Sequence, residues 1–303
     1  MEMEFRHDHH DTGEAKLHFA SIGNPEHPLV ICLHGFPEYW AAWGAVMAEL
    51  ADGFHLVAPD QRGFNLSSKP AAIDAYRIRH MVADLASLAD RLSPGRPFVL
   101  AGHDWGASVA YAFAFAHPGR LSHLVIANGV HPVCFQRAIL DDPGQRTASQ
   151  YINRLKANDA ETLLSEDGYR RLFRMIEGFS KIDFMDERMK AEYLNAWRQP
   201  GALTGMLNWY RASPVAVPAP GEEAGGSLIL DMPREAFKVA MPHLVVWGDA
   251  DEALRPACIE GLEDFAPDLT VRRIDGAGHW ILHEKPALVA RTMREFLADR
   301  AGE

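Results

Sequence analysis

The stretch GHDWGAS, residues 102–108, places Asp104 between Gly102 and Gly106. The spacing is that of a nucleophile elbow, G-x-S-x-G, in which a strand turns sharply into a helix and holds a reactive side chain above a sheet. An aspartate at a helix start is commonly only a cap. Here, however, the apolar run FVLA (98–101) leads in and the apolar segment WGASVAYAFAFAH leads out, which is the setting an elbow requires. A helix N-terminus also favours a negative group. An aspartate is ionised at neutral pH, so it needs no base to attack carbon, and the product is an ester. A serine in its place would form an ether, with no carbonyl for water to attack.

Ester cleavage needs a base, and GAGHWILHEKP supplies a candidate in His279, which follows the strand-like VRRID through a glycine-flanked loop. A single histidine among fifteen is usually structural; this one stands where an imidazole can reach across a sheet end. VVWGDADEAL offers Asp249, Asp251 and Glu252 to hold that imidazole in the useful tautomer and stabilise its cation. In HGFPEYW the turn after a strand directs the Phe36 N–H toward the elbow, where it and the Trp105 N–H form an oxyanion hole. Such a donor contributes roughly 3 kcal/mol to a tetrahedral intermediate. His34 is read as local support for this turn.

These groups must be positioned by a sheet. LVICL (29–33), FHLVA (54–58), FVLA (98–101), HLVIA (123–127) and HLVVW (243–247) are strand-sized and apolar on both faces, as buried parallel strands are. TVRRID (270–275) is a more polar strand nearer the edge. Met81, Leu85, Leu88 and Leu92 share one helix face, as do Val289, Met293, Phe296 and Leu297. Strands alternating with helices predict a parallel α/β sheet. The alternation breaks between 127 and 243, where helical patterns occur without a strand and end in SPVAVPAPGEEAGGS. This predicts a helical cap with its return loop over 130–235, inserted between core segments 1–129 and 236–303.

The chain has 303 residues, 48% hydrophobic and 23% charged, with a net charge of −11. That charge argues against nucleic acid or an anionic membrane as partner. The start, MEMEFRHDHHDTGEAK, has no apolar signal core, and no apolar run is long enough to span a bilayer. Cys32, Cys134 and Cys258 are few and scattered, so a reducing, cytoplasmic setting is expected. HDHH (7–10) lacks a metal-ligand spacing and is read as an isolated, mobile segment. Neither a metal nor another cofactor is expected.

HGFPEYWAAW, GHDWGA, NWYR, WGDADEAL and GAGHW together resemble the α/β-hydrolase-fold epoxide hydrolases over nearly the full length. The resemblance implies that fold, a mostly parallel central sheet flanked by helices, with an inserted helical cap. It implies that Asp104 attacks the epoxide carbon and that two cap tyrosines bind the epoxide oxygen. Tyr210 matches the tyrosine of N-W-Y-R, and Tyr151 matches the first-tyrosine region by position and by the acidic helix after it. Each alone would be a packing residue. The W-G-x-x-D pattern selects Asp251 as the acid. Some relatives carry the acid after the preceding strand, which here ends in Asn128. Trp105 would also contact substrate, a small, largely apolar epoxide that reacts with water; a homodimer is compatible with these features.

Haloalkane and fluoroacetate dehalogenases use the same aspartate chemistry and resemble the chain at HDWG. The former often place an asparagine halide donor where Phe36 stands. The latter place arginines after the nucleophile, here Trp105, Gly106, Ala107 and Ser108, and a His-Trp pair in the region of Ser149 and Gln150. Epoxide hydrolysis therefore ranks first, above dehalogenation and above a non-catalytic binding protein on the same scaffold. Trp197, Met206, Leu207 and Trp209 are read as apolar cap residues, with packing their commoner role.

Overall fold

The runs that are apolar on both faces become the middle of one sheet, because only there are both faces covered. The computed structural model describes residues 4–223 and 225–298. Its strands are β1 (Arg6–Asp11), β2 (Lys16–Ile22), β3 (Leu29–Leu33), β4 (His55–Pro59), β5 (Phe98–His103), β6 (Leu121–Ala127), β7 (His243–Gly248) and β8 (Leu269–Ile274). Across the sheet they run β1-β2-β4-β3-β5-β6-β7-β8. Pairing is parallel from β4 to β8 and antiparallel where β1 and β2 join. The polar run at 270–275 is the far edge strand, as its composition predicts.

The HDHH segment is a correction. It forms most of β1, where His7 Nδ1 lies 3.0 Å from His18 Nε2 and His10 Nε2 lies 2.8 Å from Ser87 Oγ. An edge strand can be polar because it buries little of either face. Among the described residues no trio of histidine, cysteine, aspartate or glutamate is arranged to hold a metal.

Helices α1 (Gly44–Leu50), α2 (Ile78–Leu92) and α3 (Trp105–Ala116) follow β3, β4 and β5. After β6 come six helices in succession: α4 (Pro132–Asp141), α5 (Pro143–Ala148), α6 (Gln150–Lys156), α7 (Ala160–Phe179), α8 (Glu187–Trp197) and α9 (Ala202–Ala212). The chain returns to β7, and α10 (Ile281–Glu284) and α11 (Pro286–Ala298) follow β8. Helices α2 and α3 bury the apolar residues of one sheet face, α1 and α11 those of the other. Among the described residues no helix is long and apolar enough to cross a membrane, and Cys32, Cys134 and Cys258 are buried and unpaired.

The six-helix insertion is bolted to the strand-end loops by buried aromatic donors. Trp197 Nε1 donates to the Pro37 carbonyl at 2.6 Å, Trp209 Nε1 to that of Arg62 at 2.8 Å, and Trp280 Nε1 to that of Ile176 at 2.8 Å. Trp197, Met206, Leu207 and Trp209 are thus packing residues of this junction. Within α7 the backbone leaves helical values at residues 166–169, with Asp167, Gly168 and Tyr169 all at positive φ. The helix is therefore two pieces meeting at a bend.

Two glycines set the elbow against the neighbouring strand end. A Cβ on Gly106 would strike the Leu33 carbonyl, and one on Gly35 would strike the Asp104 side chain. Backbone meets backbone at Gly106, so no flexible side chain can move aside. Gly106→Ala is expected to cost about 1–3 kcal/mol, as overpacking does, and to lower the urea midpoint. An unchanged midpoint would show that α3 can lift freely from β3.

Candidate active site

Strand β5 is buried along its length and runs directly into α3, leaving one residue to make the turn. That residue is Asp104, at φ 50° and ψ −120°. A non-glycine residue held there costs on the order of 1–3 kcal/mol and persists only because its surroundings over-determine it. The Asp104 N–H donates to the Asn128 carbonyl at 3.3 Å, and the Asp104 carbonyl accepts from Ala107 N–H at 3.0 Å. The turn also aims the carboxylate at the end of β3, where Phe36 N–H donates to Oδ1 at 2.8 Å. The Trp105 amide follows at the start of α3. His34 supports the turn as expected: Nδ1 lies 2.9 Å from the Gly35 carbonyl, and Nε2 accepts from Gln61 N–H at 3.1 Å.

Asp104 Oδ2 faces His279 Nε2 at 3.6 Å, and His279 Nδ1 lies 2.8 Å from Asp251 Oδ2. Asp251 is buried and well held. Its Oδ1 accepts from the amides of Ala253 and Leu254, each at 2.8 Å, and its Oδ2 accepts from Asn128 Nδ2 at 2.7 Å. Asp249 instead pairs with Arg273 at the surface, and Glu252 with Lys181. Of Asp249, Asp251 and Glu252, it is Asp251 that touches His279.

Burial opposes charge on both partners of the His279–Asp251 pair, but mutual attraction and hydrogen bonding outweigh it. The Asp251 pKa is lowered. For His279, burial works against the imidazolium, while Asp251 and Asp104 raise its pKa to about 10. A histidine between two carboxylates is protonated at neutral pH, and removing either carboxylate charge loosens that proton.

Tyr151 and Tyr210 come from α6 and α9 and line the same small cavity as Asp104, Trp105, Phe135 and Leu254. Gly205 lets α9 sit directly on the backbone of Gly63. Helix α6 is tied to the returning chain through Gln150 and Asn153, which donate to the carbonyls of Pro218 and Val217. The Tyr210 ring meets Phe36 and Trp105 edge-on, both at 5.1 Å, and lies 6.3 Å from Tyr151. Burial foremost, then nearby charge, pushes both phenols well above their usual pKa, so each stays a proton donor.

Three residues that hold this site carry no motif role in the sequence reading. Asn128 bridges two strand ends, donating to Asp251 and accepting from Gly248 N–H at 2.8 Å. Glu38, buried at the foot of the HGFPE turn, accepts from Tyr193 at 3.1 Å and lies 2.7 Å from His283 Nε2. Its other oxygen is 3.2 Å from His103 Nδ1, close enough for an ion pair though not aligned as a hydrogen bond. His103 Nε2 in turn donates to the His279 carbonyl at 2.9 Å. Burial alone would raise the Glu38 pKa; the two histidines hold it well below the carboxylate range instead.

The profile of the alpha/beta hydrolase fold matches residues 28–286. The AB hydrolase superfamily protein YfhM of Bacillus subtilis is 35% identical over 96% of this chain and 97% of its own. Epoxide hydrolase 3 of Xenopus tropicalis is 30% identical over 95% of this chain and 76% of its own. A solved structure described among novel epoxide hydrolases from metagenomes of hot environments superposes with a TM-score of 0.87. It is 34% identical and covers 98% of this chain and 99% of that one. A nucleophile-type elbow, a mostly parallel sheet and matches over nearly the whole length converge: the chain belongs to the α/β-hydrolase fold family and, within it, is epoxide-hydrolase-like.

Proposed function

We propose that the protein hydrolyses an epoxide to a vicinal diol through an alkyl ester on Asp104. The observation that carries this is that the Asp104 carboxylate and two phenols, Tyr151 and Tyr210, line one cavity, with His279 beside the carboxylate. Residues 130–235 act as a cap and return loop over a core of residues 1–129 and 236–303, in a cytoplasmic setting. Asp104 Oδ1 is held by the Phe36 amide, so Oδ2 attacks the ring carbon. The C–O bond breaks, and a tyrosine hydroxyl gives its proton to the departing oxygen. Phenols with raised pKa values hold that proton until the alkoxide, a stronger base, develops.

Esterification removes the Asp104 charge, one of the two that hold the His279 proton. His279 then releases its proton to the tyrosinate and becomes a neutral base. It takes a proton from water, whose oxygen attacks the ester carbonyl carbon. The oxyanion on Oδ1 is met by the Phe36 amide, with the Trp105 amide one peptide away at the helix N-terminus. Collapse expels the diol oxygen, which takes the proton from His279. The carboxylic acid left on Asp104 returns its proton to His279, restoring the starting state. Epoxide and one water become one diol.

A halide would need two donors in this cavity, and the Phe36 side chain packs against Tyr210 where a second would stand. No observation favours the dehalogenase reading over the epoxide one.

Asp104→Ala is expected to form no diol and no adduct. His279→Gln is expected to alkylate normally and then stall, with ester hydrolysis slowed by about 10²–10⁴-fold. Mass spectrometry of the Asp104 peptide after incubation with styrene oxide decides between them, and an unmodified peptide in His279→Gln defeats the covalent route. Tyr210→Phe should slow alkylation about 10–100-fold in stopped flow, leaving one donor; an unaltered rate removes Tyr210 from ring opening.

The two steps should also part in their pH dependence. Phenols raised above pKa 10 keep their protons from pH 6 to 9, so alkylation stays flat there. Ester hydrolysis requires neutral His279 and should rise with pH toward a plateau. Single-turnover measurements in which hydrolysis falls across that interval would contradict the assigned base.

A further inference from the structure

The cavity above Asp104 holds about 60 Å³, and much of its wall is apolar: Val130, Pro132, Phe135, Ile152, Val215 and Leu254. Besides the two phenols, two hydroxyl side chains line it, Ser108 on α3 and Ser213 at the end of α9. Ser213 Oγ is engaged, accepting from the Val215 N–H at 3.2 Å. The Ser108 hydroxyl makes no hydrogen bond among the described residues. It does not bond back to the carbonyl four residues earlier, as a helical serine often does.

Exposure points the same way. From residue 98 to residue 111 every side chain is buried except those of Asp104, Trp105 and Ser108. All three line the cavity, and the Ser108 oxygen is not sealed off by protein. Positions four apart on a helix carry their Cβ atoms roughly 5–6 Å from each other. Ser108 therefore stands about one turn beyond the nucleophile, on the same face of α3.

Substrate entering so small a space displaces water, and a hydroxyl left against hydrocarbon loses its hydrogen bonds. An unpaired buried polar group costs more than a typical hydrogen bond gains. A site that presents such a group therefore discriminates against a substrate lacking its partner. In the reaction proposed above, Tyr151 and Tyr210 come from the cap to the ring oxygen. Ser108 shares a helix with the nucleophile, so its reach is to the substituent beside the ring carbon.

We infer that Ser108 determines specificity by hydrogen-bonding a hydroxyl on the carbon next to the epoxide ring, which makes 2,3-epoxy alcohols a favoured substrate class. This rests on the epoxide reading above and narrows it. A serine hydroxyl both donates and accepts, so it and the substrate hydroxyl satisfy each other in either sense.

The test compares glycidol with 1,2-epoxybutane, in which a methyl group replaces the hydroxyl, and takes styrene oxide as a third substrate. Intrinsic reactivities cancel when the glycidol-to-epoxybutane ratio of kcat/KM is compared between variants. Ser108→Ala should lower that ratio about fivefold, the span of one neutral hydrogen bond. Alanine favours a helix over serine, so folding is not at risk. Ser108→Thr keeps the hydroxyl and should keep the ratio, even where its added methyl slows both substrates. A ratio unmoved by Ser108→Ala overturns the assignment. So does a ratio that falls equally in Ser108→Thr, or one that falls in Ser213→Ala and not in Ser108→Ala. Failure of the unaltered protein to open any of the three epoxides defeats the epoxide reading itself, and this one with it.

Discussion

Everything at the site depends on one backbone turn. Asp104 sits at positive φ between a buried strand and a buried helix, and neither element can move to relieve it. The glycines around it are where backbone has come close enough to exclude a Cβ: Gly35 against the Asp104 side chain and Gly106 against the end of β3. That proximity puts the Phe36 amide on one carboxylate oxygen and leaves the other toward His279. The strain of the turn is offset by the packing of two apolar elements, so the core of the sheet sets the geometry of a single reactive group.

The electrostatics couple the two halves of the proposed reaction. In that reaction Asp104 would be both the attacking group and one of the charges that hold the proton on His279. Attack therefore changes the base as well as the substrate. A histidine protonated beside a free carboxylate does not compete as a nucleophile, and it becomes a base only when there is an ester to cleave. The buried Glu38 group, joined to His103 and thence to the His279 carbonyl, fixes the backbone on which this exchange occurs.

Much of this was legible in the sequence, for physical reasons. Both-face apolar runs locate the central strands because a parallel sheet covered on two sides admits little else. Asp104 and Asp251 could be chosen because each follows such a run beside a glycine, and His279 because it follows the polar edge strand in a glycine-flanked loop. β1 was missed because an edge strand need not alternate, and RHDHHD is polar throughout. Asn128 was read as an empty alternative location for the acid, whereas its side chain holds the acid that is present. Glu38 and His103 gave no signal, since their pairing joins positions 65 residues apart that only the folded sheet brings together. The bend of α7 at residues 166–169 gave no signal in the sequence either.

The Asn128 bridge has a geometric consequence. Strands β6 and β7 end side by side and deliver two side chains to one point behind His279. The Asn128 nitrogen and the imidazole both touch the same oxygen of Asp251. A carboxylate launched from either strand end would thus stand near the same ring nitrogen, with an amide at the other end to hold it. The fold provides two addresses for a single charge, and a lineage can move that charge between them in two exchanges of amide and acid. Such redundancy leaves the charge beside His279 able to come from either strand end while the elbow stays where the sheet has put it.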